Sequence, residues 1–126
     1  MVLCSGDNVT SSVLQLHVSN TPCTAFITAT DKMAAEVMAT MRNLGLEVPE
    51  QMSVISLEGS ELASYTHPRL TAIECQVDNI VDQLFEYTIQ LLQQSQSPAD
   101  EPKKVVGKLV ARESVARPYT APSLGL

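Results

Sequence analysis

Four residues in this chain have types and spacing suited to holding a small polar molecule: Thr30, Asp31, Glu58 and Gly59. Each pair stands directly after a short apolar, β-branched run, Thr24–Ala29 in one case and Met52–Leu57 in the other. Where such runs are parallel strands, ligands sit just beyond their carboxyl ends. A hydroxyl and two carboxylates placed there can donate to and accept from ligand hydroxyls, and a carboxylate offers several acceptor positions at once. Thr30 and Asp31 also suit a simpler job, since both types are favoured at helix starts. The simpler reading of Glu58 is a solvated acidic loop.

Covalent chemistry finds less support. His17 and His67 with Cys4, Cys23 and Cys75 form no nucleophile–base arrangement, and the cysteines lack metal-ligand spacing. The glycines at 6, 45, 59, 107 and 125 build no phosphate-cradling motif. The expectation is a protein that is not an enzyme, with no catalytic residues, no metal and no cofactor.

The elements that position the four residues read as strand, helix, strand. The segment Asp31–Leu44 carries an apolar stripe of Met33 or Ala34, Val37, Met38, Met41 and Leu44. Its acidic start suits the helix dipole, and Gly45 followed by Leu46 suits a left-handed helix end. A βαβ unit of this kind requires a parallel sheet covered by helices, so the fold class is α/β.

Around that unit, residues 1–6 can end a strand, and Thr10 or Ser11 can cap a short helix with Val13, Leu14 and Leu16. Asn20–Pro22 breaks that helix. Ser60–Arg69 reads as irregular with one short helical turn, and Leu70–Glu74 as a strand. Val77–Gln94 is the longest helix, its stripe of Val77, Ile80, Val81, Leu84, Thr88, Leu91 and Leu92 suited to a core. Ser95–Lys104 is a loop and Val105–Ala111 a last strand.

Composition narrows the functional classes. The 126 residues suffice for one core, which must be aliphatic: 44% of residues are hydrophobic but only 4% aromatic, with no Trp. A net charge of −6 with only 8 Lys and Arg argues against this chain gripping a phosphate backbone by itself. No apolar run approaches the roughly 20 residues of a membrane span. The N-terminus lacks the charged and apolar regions of a signal peptide, and three scattered cysteines read as reduced thiols in a cytoplasmic protein.

Three stretches together resemble a known family. "PCTAFITATDKMAAEVMATMRNLGLEVPEQMSVIS", then "ELASYTHPRLTAIECQ" and finally "LVARESVARP" are similar, in that order, to the C-terminal part of the effector-binding domain of LacI/GalR-type transcriptional regulators. The resemblance implies one lobe of a two-lobed, periplasmic-binding-protein-like domain. Residues 1–118 would be its C-terminal, effector-binding and dimerisation portion, 77–104 the cross-over helix and loop, and 119–126 a loose tail. Such regulators carry a long N-terminal part, so the abrupt opening near Met1 implies a missing lobe and a missing helix-turn-helix through which DNA would be bound. Without that lobe, Ile80, Leu84, Phe85 and Leu92 would form an unpartnered apolar patch.

The resemblance also assigns roles. Relatives commonly place an effector-contacting Asn where Thr30 stands and an Asp where Glu58 stands. It therefore implies effector contact by Thr30, Asp31, Glu58 and Gly59, with Glu58 reaching one methylene further into a pocket of different depth. It implies a homodimer or higher oligomer, with Val37, Met38, Met41 and Tyr65 at the interface. The implied ligand is a sugar or related metabolite. A periplasmic sugar-binding protein shares the architecture and is the alternative, and an enzyme of flavodoxin-like topology is a third.

Overall fold

In the computed structural model the described residues are 9–19, 23–93 and 104–118. They divide into two compact units. The first comprises the described residues up to Glu74 together with those from Leu109 onward, and the second is Cys75–Lys108.

The first unit opens with helix α1 (Val9–Val18), strand β1 (Ala25–Thr28), helix α2 (Asp31–Asn43) and strand β2 (Ser53–Ser56). A single helical turn, α3 (Leu62–Tyr65), and strand β3 (Thr71–Glu74) follow. Strand β4 (Lys108–Val110) completes a sheet of order β1-β2-β3-β4. Strand β1 pairs with β2 in parallel, Ile27 beside Ile55, and β2 with β3, Ile55 beside Thr71. The expected βαβ unit is therefore present, and the fold is α/β. Strand β4 is shorter than the expected Val105–Ala111, residues 104–107 being irregular.

Alternation along the strands decides what each face meets. Val54 and Ala72 are buried at 0% exposure and share a core with Val9 and Val13 of α1 and Ala34, Val37, Met38 and Met41 of α2. Phe26 packs partly against it. The fully buried large apolar side chains are Met41, Leu70, Val37 and Val54, so the core is aliphatic as composition required. Among the described residues helix α1 already includes Thr10 and Ser11, expected as its caps, and Val9 is buried in that core.

The end of α2 follows its sequence closely. Gly45 is left-handed (φ 73°), its N–H donates to Arg42 O at 3.1 Å, and the Leu46 N–H donates to Met41 O at 2.9 Å. That paired pattern is a Schellman ending, with Leu46 turned back onto the core.

The return segment 112–116 supplies the base of the sheet. Ser114 is fully buried; its Oγ donates to Val54 O at 2.6 Å and accepts the Thr71 N–H at 2.8 Å. Ser114 O accepts the Val54 N–H at 2.8 Å. Arg112 donates to Leu70 O and to Glu74 Oε1, each at 2.8 Å, and Glu113 takes the Arg69 guanidinium at 2.7 Å and 2.9 Å. Thus the "RES" of the final motif bridges β2 and the entry to β3, where those strands have not yet begun to pair.

In the second unit, helix α4 runs Val77–Leu92, close to the expected span. None of its residues is buried, so the stripe expected as core is largely exposed, Leu84 at 60% and Leu92 at 75%. The expectations for residues 1–6, Asn20–Pro22, most of 95–104 and the tail from 119 lie outside the described residues.

Candidate functional site

The carboxyl ends of β1 and β2 bring Thr30, Asp31, Glu58 and Gly59 together, as two adjacent parallel strands must. Thr30 is the N-cap of α2: its backbone is extended and its Oγ1 accepts the Met33 N–H at 3.2 Å. Buried Thr28 supports this turn, donating from Oγ1 to Thr30 O at 3.1 Å.

Asp31 is fully buried and turned toward the loop after β2. Its Oδ2 accepts the Ser60 backbone N–H at 2.6 Å and the Ser60 hydroxyl at 2.7 Å, while Oδ1 accepts the Gly59 N–H at 3.3 Å. Burial alone raises its pKa, but hydrogen bonds from the Ser56 hydroxyl, the Ser60 hydroxyl and the Ser60 and Gly59 N–H groups outweigh it and hold the carboxyl below its ordinary value. This carboxylate is consumed by protein donors and is not presented to a ligand.

Glu58 is exposed, yet one of its oxygens is engaged: Oε2 accepts the Asp31 backbone N–H at 2.7 Å. That N–H lies in the first turn of α2, where backbone donors have no helical acceptor and negative charge is favoured. The length of Glu58 lets its carboxylate reach the start of α2. No hydrogen bond among the described residues reaches its Oε1. The Glu58 N–H in turn donates to Ser56 Oγ at 3.2 Å, and Ser56 is fully buried.

Gly59 serves the loop's path. Its φ is +63°, and a Cβ there would lie 2.6 Å from the Cα of Glu74 and 2.8 Å from its nitrogen. Only glycine fits so close to β3 in that conformation. Sequence reasoning missed Ser60, which donates twice to Asp31, and Ser56, which accepts the Glu58 N–H. The signal available was a serine on either side of Leu57–Gly59, which is too common a pattern to single out.

Of the four residues expected at a subunit interface, Val37, Met38 and Met41 lie in the core, at 2%, 5% and 0% exposure. A side chain so enclosed by its own chain has no surface left for a partner. Tyr65 differs: it is 79% exposed at the end of α3. A strap joins it to the rim, since the segment from Glu58 to His67 is held to both ends of α2. Asp31 grips it at the start of the helix, and Arg42 donates to His67 O at 2.6 Å near its end.

Among the described residues no group of three or more His, Cys, Asp or Glu is placed to hold a metal ion. No helix among them is long and apolar enough to cross a membrane.

Residues 4–115 match the family described as "Periplasmic binding protein-like domain". Over 95 residues the chain is 33% identical to the HTH-type transcriptional regulator AscG of Escherichia coli, covering 75% of this chain and 27% of that one. It is 36% identical over 67 residues to the HTH-type transcriptional repressor PurR of Vibrio vulnificus, covering 53% and 20% respectively. The chain thus spans about a quarter or less of the length of these curated relatives. Among solved structures it is similar to the Escherichia coli transcriptional repressor ascG, with 30% identity and a TM-score of 0.71, covering 86% of this chain and 39% of that one. It shares the fold of a LacI family transcriptional regulator from Arthrobacter in complex with lactose, at 22% identity and a TM-score of 0.75, covering 86% and 41%.

Proposed function

The chain belongs to the periplasmic binding protein-like domain family, and from that premise we propose that it is the ligand-sensing and dimerisation part of a LacI-type transcriptional regulator. The observation that carries the reading is the rim where Thr30 and Glu58 stand side by side at two parallel strand ends, in a chain whose relatives are regulators. The ligand is a sugar or related metabolite rich in hydroxyls. Glu58 Oε1 accepts from a ligand hydroxyl, and the Thr30 hydroxyl serves as a second polar contact.

This chain supplies one wall of a cleft, and a second lobe supplies the other. Ligand bridging the two favours the closed arrangement and changes how two subunits sit against each other, and with them the spacing of helix-turn-helix headpieces on an operator. The coupling is reciprocal: operator DNA must change ligand affinity by the factor by which ligand changes operator affinity. Tyr65, exposed on the strap that begins at Glu58, is the side chain best placed to anchor a subunit contact. The names of the curated relatives favour this reading over a periplasmic sugar-binding protein.

The test is a heteronuclear NMR titration of the chain with lactose and a panel of mono- and disaccharides. Shifts centred on the amides of Thr30, Glu58 and Gly59, lost in Glu58→Gln, support the reading. A panel that leaves that rim unmoved, or moves it equally in Glu58→Gln, removes it.

A further inference from the structure

We infer that Asp31 is a positioning residue for Glu58, fixing it so that one carboxylate oxygen caps α2 and the other is left without a protein donor and open to a ligand. The ligand consequence rests on the reading of Glu58 given above; the positioning itself does not.

Three observations carry it. Among the described residues the Asp31 carboxylate bonds to the segment just after Glu58, to Ser60 twice and to Gly59, while Ser56 Oγ on the other side accepts the Glu58 N–H at 3.2 Å. Asp31 then presents its backbone N–H to Glu58 Oε2 at 2.7 Å. On the other side Gly59 lies against Glu74 with no room for a Cβ. An exposed glutamate ordinarily samples many rotamers, and ordering it on binding opposes affinity. Here the backbone on both sides of Glu58 is anchored and its head is docked, so that ordering is complete before a ligand arrives.

The geometry also sets specificity. With one lone pair of Oε2 on the helix, Oε1 is the carboxylate oxygen that no donor among the described residues engages. A lone hydroxyl is accommodated without disturbing the protein. A vicinal diol that takes both oxygens must share Oε2 with the Asp31 N–H. The site therefore favours a ligand that presents one hydroxyl to Oε1 over one whose second hydroxyl competes with the helix for Oε2.

The dependence runs one way, and amide hydrogen exchange on the full chain reads that direction without any ligand. In Asp31→Asn, the amide of residue 31 should exchange roughly tenfold faster as Glu58 loses its fixed position. Ser60→Ala, which removes one donor to Asp31 and a 3.3 Å acceptor for the Leu62 N–H, should move it the same way by less. The amides of Met38 and Met41 in mid-helix should be unchanged and report that the fold persists. In Glu58→Ala and Glu58→Asp the residue 31 amide should also be released, the alanine lacking the acceptor and the aspartate being one methylene short, while the Gly59 and Ser60 amides keep their protection. If residue 31 stays protected in both Asp31→Asn and Ser60→Ala, Glu58 is held by something else and the inference fails. If Glu58→Ala releases Gly59 and Ser60 as fully as Asp31→Asn does, the pair is a mutual brace and Asp31 positions nothing. Sugar binding can fail on the panel above without touching either result.

Discussion

Ser60 donates to the same oxygen of Asp31 twice, through its backbone N–H at 2.6 Å and its hydroxyl at 2.7 Å. That contact ties the end of β2 to the start of α2, and it makes a buried carboxylate the hinge pin of the rim. Asp31→Ala removes the acceptor and strands its donors, so it should lower unfolding free energy by about 2–3 kcal/mol. Urea denaturation of the two proteins measures the difference.

Asp31 also carries a pH signature. Its folded pKa lies below the unfolded value of about 3.9, because donors from Ser56, Ser60 and Gly59 outweigh the effect of burial. The stability it contributes is therefore fully present above the unfolded pKa and lost as pH falls through the folded one. The gap between wild type and Asp31→Asn should be constant near neutrality and narrow below about pH 4. Glu113, lowered by Arg69, is common to both proteins and cancels.

Two left-handed glycines should respond differently to the same change. At Gly45 (φ 73°) a Cβ meets open space, so Gly45→Ala costs only the conformational strain, about 1–2 kcal/mol. At Gly59 (φ 63°) the new Cβ meets Glu74 backbone atoms at 2.6 and 2.8 Å, so the cost should exceed that of Gly45→Ala by at least about 1 kcal/mol. Thermal or urea midpoints of the two variants, side by side, decide it.

Ser114→Ala should cost about 1–3 kcal/mol despite removing one oxygen. It leaves the buried Thr71 N–H without its acceptor and Val54 O without its 2.6 Å donor. Hydrogen exchange should show the loss at Thr71 first.

Tyr65→Ala should leave stability within about 0.5 kcal/mol, since the ring is 79% exposed. If Tyr65 anchors a subunit contact, sedimentation should show weaker self-association in the variant with folding unchanged.

Local pattern determined much of this protein. The alternation of apolar residues along Asp31–Leu44, the Gly45–Leu46 ending and the two β-branched runs around them specify strand, helix and strand, because each depends on neighbours only a few residues apart. The same pattern placed Thr30 and Glu58 at one rim, since parallel strands put their carboxyl ends together. The tertiary structure decided what those side chains do. Asp31 and Glu58 are 27 positions apart and Ser114 and Val54 are 60 apart, so no periodicity encodes their hydrogen bonds. Nor does the stripe on a helix say what covers it: in α2 it closes the core over Val37, Met38 and Met41, and in α4 an equally apolar stripe is left exposed. Periodicity establishes that a face is apolar; burial depends on which other segments the chain brings to that face, and that is a property of the whole fold.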